Sequence, residues 1–389
     1  MKSAETTKVV QAARDLAPVI AARAADIESG RRLPVDLLAQ FKQAGFFRAF
    51  VPRSHGGLEV DPRTGCEVLE TLARADGAAG WTTMIGMESP HLFALLPRER
   101  FDAIYSAGPD VIVGGAFNAQ GQAVVEKGGY RVSGRWGFAS GCEHCDWLLA
   151  NCVIVRDGQP RPGPVPGVPQ TRAMLFPARE VRIIDTWNVL GLRGTGSHDL
   201  ALEAAFCPEE NTFDIFAGTS TVPGPGFVAP VLHFVLHMSA VSLGIAQGAV
   251  DDLVKLVTTG KRRMYARVPL IESPVFQLEL GRVDTSVRAA RALLYSTVEE
   301  FWSACVNDPA SAVLLAPRLS ATLAWVAENA SGVVETCYRA GGASSLKDGS
   351  LLQMRFRDIY TFRQHAAAAE GWFGQAGASL LGQPTGFWT

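Results

Sequence analysis

Two runs of apolar residues in the last third of the chain recur at steps of three and four. They are Phe276, Leu280, Val283, Val287, Ala290, Leu294 and Phe301, then Leu315, Leu319, Val326, Ala330, Val333 and Cys337. A single apolar stripe on a helix has to be covered by another helix, so each near-heptad seam demands a partner. Long helices joined by short loops pack antiparallel, and the expected arrangement is a four-helix bundle over residues 217–389. The stretch from Val231 to Val250 is apolar but carries His233, His237, Ser239, Ser242 and Gln247. It reads as a helix buried inside that bundle, not as a membrane span.

The bundle is preceded by two regions of different texture. Residues 1–108 read as an N-terminal α-helical domain. Pro34 suits a first turn and Gly45 a C-terminal cap, with Leu37, Leu38 and Phe41 between them, and further helices are expected over Pro62–Arg74 and Gly80–Leu96. Residues 109–216 break into short β-branched or aromatic runs, VIVGGAF, AVVEKGGYRVSGRWGF, WLLANCVIV and RAMLFPA. Gly128-Gly129 sits where a tight hairpin needs positive φ, and DGQPRPGPVPGVPQ is a Pro/Gly loop. The expectation is a small antiparallel, barrel-like sheet. The class is α+β, mainly α.

Charge and motifs narrow the function. The chain of 389 residues has 36 basic and 38 acidic side chains and no long run of either sign, so neither nucleic acid nor an anionic membrane is an expected partner. Lys261-Arg262-Arg263 is the densest basic cluster, enough for one phosphate. Seven scattered cysteines and an N-terminus without an apolar h-region point to a reducing cytoplasm. There is no GxGxxG after a strand, no GxxxxGK[ST], no GxSxG and no HExxH. Cys142-Glu-His-Cys145 is half a zinc pattern without a second half, and small residues at a strand end explain it better. His233 and His237 stand one turn apart with no carboxylate partner nearby on that helix, which fits a buried pair and not a metal site. Asn329-Ala-Ser falls mid-helix and is discounted as a glycosylation site.

Four segments carry a resemblance: GYRVSGRWGFASGCEHCDW, WNVLGLRGTGSHDL, Gln277 opening the long helix, and GGASSLKDGSLLQMRFRDIYTFRQH. In order and distance they resemble the acyl-CoA dehydrogenase superfamily across nearly the whole chain. That resemblance implies a helical domain, a β-domain and a four-helix bundle, assembled as a homotetramer. A dehydrogenase of this family needs a carboxylate base from a C-terminal loop or from the first bundle helix. Here the C-terminal stretch is TFRQHAAAAEGW, with His365, and PVLHFVLHMSAVSL has no acid. Glu370 lies about a turn beyond the expected place. The chain is therefore similar to the reduced-flavin-dependent oxygenases, a group including the p-hydroxyphenylacetate hydroxylase oxygenase component, secosteroid phenol hydroxylases and dibenzothiophene monooxygenase.

What the resemblance implies is a two-component monooxygenase that uses FMNH2 or FADH2 and O2 on a small, aromatic substrate, with FMN or FAD reduced by a separate NAD(P)H-dependent reductase and reaching it by diffusion. Reduced flavin and dioxygen form a C4a-hydroperoxide, which is lost if water or a proton reaches N5. Ser140 would bond N5 and slow that loss. His365 would deprotonate a phenol or position the peroxide, and His91 would add a second polar group. Trp81, Phe117, Asn118, Phe138 and Ala139 would line flavin or substrate. Arg263 or Arg267 would hold the flavin phosphate, with the backbone around Ala343 and Ser344. Two other readings stay open: an acyl-CoA dehydrogenase with a displaced base, and a non-catalytic flavin-binding protein.

Overall fold

The computed structural model describes residues 4–385 apart from 263 and 265. Helices come first: α1 (Ala4–Ala22), α2 (Ala24–Gly30), α3 (Val35–Ala44), α4 (Pro62–Ala75), α5 (Gly77–Met87), α6 (Ser89–Phe93) and α7 (Arg98–Tyr105). Pro34 precedes α3, and Gly45 closes it in the left-handed region at φ 83°, as the sequence suggested. Asp61 caps α4 by accepting from Thr64 N, and Asp76 caps α5 by accepting from Ala79 N. The expected single helix Gly80–Leu96 is instead α5 followed by α6. The break falls where Pro90, which lacks an N–H, enters the first turn of α6.

The central strands are β1 (Val113–Glu126), β2 (Gly129–Ala139), β3 (Trp147–Arg156), β4 (Gln159–Pro160), β5 (Thr171–Pro177), β6 (Arg182–Ile184), β7 (His198–Pro208) and β8 (Thr212–Phe213). Their order is β6-β7-β2-β1-β3-β5-β8, with β4 on β3. The expectation of a wholly antiparallel, barrel-like sheet needs correcting on two points. β1 and β3 run parallel, and the order of strands is open at β6 and β8. The parallel pair arises because β1 turns tightly into β2 at Gly128, and residues 140–146 then carry the chain over to the other side of β1.

Helices return as α8 (Pro230–Thr258), α9 (Pro274–Asn307), α10 (Pro309–Leu314), α11 (Ala316–Gly341), α12 (Leu351–Phe362) and α13 (Gly371–Leu380). α8, α9, α11 and α12 pack on one another, and the seam residues Val283, Val287, Leu294, Phe301, Leu319, Val326 and Val333 are buried. By length and composition α8 would cross a membrane, yet most of its apolar window is buried inside the fold. One apolar core runs from Val9 and Phe41 through α4 and α5 into α8, α9, α11 and α12, so the first and last helical regions share an interior.

That interior contains a clamp. The buried Arg355 guanidinium donates to the carbonyls of Ala73, Arg74 and Ala75 at the end of α4, and to Asp252 on α8. One turn along α12, the Asp358 carboxylate accepts from Leu192 N at 2.6 Å, and Arg357 donates to Leu190 O. Gly191 between them has no room for a side chain, since a Cβ would meet the Arg357 carbonyl carbon at 2.2 Å. α12 thus ties the loop 190–196 of the sheet region to both helical regions.

Burial, and then the nearby Asp76 carboxylate, push Asp358 up to about 7. Its unfolded value is near 3.9, so the folded state holds a proton that the unfolded state has lost between about pH 4 and 7. This group therefore subtracts stability as pH rises through that window. An amide keeps the acceptor for Leu192 N without the charge. The melting temperature of Asp358→Asn, compared with wild type from pH 5 to 8, should rise relative to it by about 2 °C or more across the range. A gap that stays constant or shrinks would contradict the assignment.

Candidate functional site

The site forms where β2 ends. Pairing of β2 with β7 shifts register between Trp136 and Ala139, and in that bulge Phe138 adopts φ 67°, a left-handed conformation rare for an aromatic residue. The bulge turns the Phe138 ring outward, 68% exposed, edge-on to Trp187 with ring centres 6.1 Å apart. Phe138 therefore does not sit within a closed wall in this chain. It presents a bare aromatic face beside Ser140. Ala139 is buried opposite His198.

Ser140 is almost buried and anchors a chain of hydroxyls with a single sense. Thr195 Oγ1 donates to the Leu192 carbonyl at 2.8 Å, so it must accept from Ser197 Oγ, 2.7 Å away. Ser197 Oγ then accepts from Ser140 Oγ, again at 2.7 Å, and Ser140 Oγ accepts from Trp81 Nε1 at 3.0 Å. The proton of Ser140 is committed inward. One of its lone pairs is taken by Trp81, which leaves the other as an acceptor. Ser197 and Thr195 were not singled out from sequence, although both stand in GLRGTGSHDL. A short polar residue there could have been asked where its hydroxyl goes.

His365 follows α12, with its ring edge-on to Trp81 at 5.5 Å. Its Nδ1 accepts from Ala367 N at 3.2 Å. The neutral ring therefore carries its proton on Nε2 and is a donor. Burial of the surroundings lowers its proton affinity, which favours that neutral form. With Nδ1 occupied as an acceptor, what the neutral ring has left to offer is donation from Nε2. No carboxylate hydrogen-bonds to Trp81, Ser140, Ser197 or His365 among the described residues.

The remaining candidates lie apart from this group. Phe117 on β1 meets Phe234 of α8 with ring centres 5.6 Å apart, and Asn118 is exposed. His91 is sealed, with Nδ1 bonded to Glu88 at 2.5 Å, and makes no contact with Ser140. Arg263 lies outside the described residues, and Arg267 is exposed. Ala343 and Ser344 are exposed, and Lys261 donates to Ser344 Oγ, which joins the basic cluster to the predicted phosphate loop. Ser344 precedes and His365 follows α12, whose twelve residues span roughly 18 Å.

The residues fit a flavin ring at the β2 end. An outward aromatic at Phe138, a hydroxyl with a spare lone pair at Ser140, and an imidazole donor at His365 would meet one planar, partly polar ring. Residues 3–94 match the acyl-CoA dehydrogenase N-terminal domain and residues 236–370 the acyl-CoA dehydrogenase C-terminal domain. Indole-3-acetate monooxygenase of Pseudomonas putida is 34% identical over 93% of this chain and 90% of its own. The flavin-dependent monooxygenase oxygenase subunit HsaA of Rhodococcus jostii is 29% identical over 90% of this chain and 92% of its own. The solved structure of XiaF from Streptomyces in complex with FADH2 and glycerol superposes with a TM-score of 0.90 at 26% identity, covering 97% of this chain and 96% of that one.

Removing the Ser140 hydroxyl strands a buried indole N–H and a buried serine. Ser140→Ala should cost about 1–3 kcal/mol, read as an earlier thermal or urea midpoint. An unchanged midpoint would mean that the chain of hydroxyls is not held as described.

Proposed function

From the premise that this chain belongs to the acyl-CoA dehydrogenase family, and within it to the flavin-dependent monooxygenases, we propose that it oxygenates a small aromatic substrate near Trp81, which Ser140 and His365 both contact. It is an oxygenase component that uses reduced flavin, FMN or FAD, with O2. The bound reduced flavin supplies the two electrons and the site of oxygen activation. An electron-rich ring is the substrate to expect for such chemistry. Indole-3-acetate, in the name of one relative, is a compound of that kind.

The observation that carries the reading is a polarised Ser140 hydroxyl and a His365 imidazole donor, both in contact with Trp81, with no carboxylate bonded to either among the described residues. Because Ser140 donates inward to Ser197, its remaining lone pair can accept the N5 proton of reduced flavin. The hydroxyl would hold that proton in place and keep water from exchanging it. His365 Nε2–H would supply a donor for oxygen. An acyl-CoA dehydrogenase would need a base here, and His365 Nδ1 is already bonded. The Lys261–Ser344 pair of one protomer would serve the phosphate end of a flavin held by another. Exposed Val275, Leu278, Val306 and Leu346 on the bundle support a homotetramer that covers them. A separate NAD(P)H-dependent reductase supplies the flavin by diffusion, and the system works in the cytoplasm.

Three measurements test this. With photoreduced or chemically reduced flavin, Ser140→Ala should still consume oxygen but release more hydrogen peroxide per product; unchanged coupling counts against the N5 role. His365→Ala should lower product formation by about a hundredfold, and His365→Gln, which keeps a donor, should recover part of it. Full activity in the alanine variant would remove His365 from the reaction. Finally, NADH and flavin without a reductase should show no NADH oxidation above background with this chain.

A further inference from the structure

The hydroxyl chain behind Ser140 has a direction, and the turn 192–196 imposes it. Leu192 and Gly196 both adopt left-handed backbone, at φ 51° and 50°, and a Cβ at Gly196 would meet the Arg31 carbonyl at 2.7 Å. This turn brings the Thr195 and Ser197 hydroxyls to 2.7 Å from each other, and β7 opens with Ser197 held 2.7 Å from Ser140. Thr195 and Ser197 are 2% and 3% exposed, so bulk water does not share their hydrogen bonds.

Each of the three hydroxyls has one proton to give, and the Leu192 carbonyl at the far end can only accept. While Thr195 Oγ1 donates to Leu192 at 2.8 Å, Ser197 donates to Thr195 and Ser140 donates to Ser197. Trp81 Nε1 donates to Ser140 at 3.0 Å and has no lone pair to take a proton in return. The Ser140 proton can turn outward only if the whole chain reverses. Ser197 would then donate to Ser140, and Thr195 to Ser197. The Leu192 carbonyl would lose the Thr195 hydroxyl and keep Trp187 Nε1 at 3.2 Å and Thr195 N at 3.1 Å.

The two oxidation states of a flavin differ at the atom where Ser140 is placed. N5 of the reduced ring carries a hydrogen and donates. N5 of the oxidised ring has a lone pair and accepts. Reduced flavin adds its N5–H to the chain as it stands, and no bond is given up. Oxidised flavin either meets a lone pair of Ser140 or exchanges the Thr195–Leu192 bond for one to N5. The reduced form is therefore ahead by one hydrogen bond. Without the Ser197 or the Thr195 hydroxyl that lead vanishes, because turning the Ser140 proton outward no longer costs a bond.

We propose that Ser197 and Thr195 are positioning residues that, through the direction they impose on the Ser140 hydroxyl, make the site favour a flavin with hydrogen on N5. This deepens the proposed function and rests on its placement of Ser140 at N5. It gives the loop 190–196, which the α12 clamp holds, a part in selecting the oxidation state of the flavin.

The test measures binding without turnover. The full-length chain is titrated anaerobically with FMN and with FAD, each oxidised or reduced by dithionite, by calorimetry. The readout is the ratio of the oxidised to the reduced dissociation constant. A loss of packing weakens both states alike and leaves that ratio where it was. Ser197→Ala and Thr195→Val should each lower the ratio by about fivefold, the worth of one buried hydrogen bond. Ser140→Ala should lower it by the same factor, and Thr195→Val added to Ser140→Ala should change it no further. If Ser140→Ala lowers the ratio while Ser197→Ala and Thr195→Val do not, the positioning role is overturned and the N5 placement stands. If Ser140→Ala leaves the ratio unchanged, the N5 placement itself fails. Effects of Thr195→Val and Ser140→Ala that multiply in the double variant would show that Thr195 does not act through Ser140, which also overturns the proposal. Should Ser197→Ala not fold, the nearly isosteric Thr195→Val decides alone.

Discussion

The grip of α12 on the loop 190–196 is the interaction on which the site depends. Asp358 accepts from Leu192 N, Arg357 holds Leu190 O, and Arg355 is anchored on three carbonyls at the end of α4. Leu192 O is in turn the acceptor at the end of the hydroxyl chain through Thr195 and Ser197 to Ser140. The orientation of one serine proton thus follows from a carboxylate buried between the helical regions. A buried arginine bonded to several carbonyls is costly to rearrange, because every bond lost leaves a desolvated group. The clamp therefore holds the loop rigid although the loop itself contains no regular strand.

Rigidity of that kind suits oxygen chemistry on a flavin. A hydroxyl free to rotate would offer its proton and lone pairs in turn, whereas a hydroxyl committed at both ends offers one remaining lone pair in one direction. His365 is restricted in the same way from the other side, with Nδ1 held by Ala367 N so that only Nε2–H is presented. The strained Phe138 backbone is a further sign of a site shaped against local preference. Strain there persists because the β2–β7 pairing on either side holds the bulge in place.

The interior also carries more charge than an apolar core requires. Glu88, His91, His233 and His237 lie together among Phe50, Phe227 and Phe301. Packing that space with leucines would be simpler and at least as stable. Glu88 is tolerated there because it bonds both His91 and His237.

Much of this was legible in the sequence. The period of the apolar residues placed α9 and α11 and required helices to cover them. Pro34 and Gly45 bounded a helix, Gly128 turned a hairpin, and the order of four segments pointed to the family, because periodicity, φ restrictions and motif spacing act locally along the chain. Ser140 and His365 were singled out by the same motif spacing as residues expected at the flavin. What the sequence did not decide were directions and partners between distant segments. The parallel pairing of β1 with β3, the inward proton of Ser140 and the occupied Nδ1 of His365 depend on those partners, as does the separation of Ser344 from His365 by the length of α12. Glu88 sits three residues before His91, yet its bond to His237 spans 149 positions. Hydrogen bonds acquire their sense only when both partners are in place, so a residue's chemical type can be read from the chain, while its protonation and aim come from the fold.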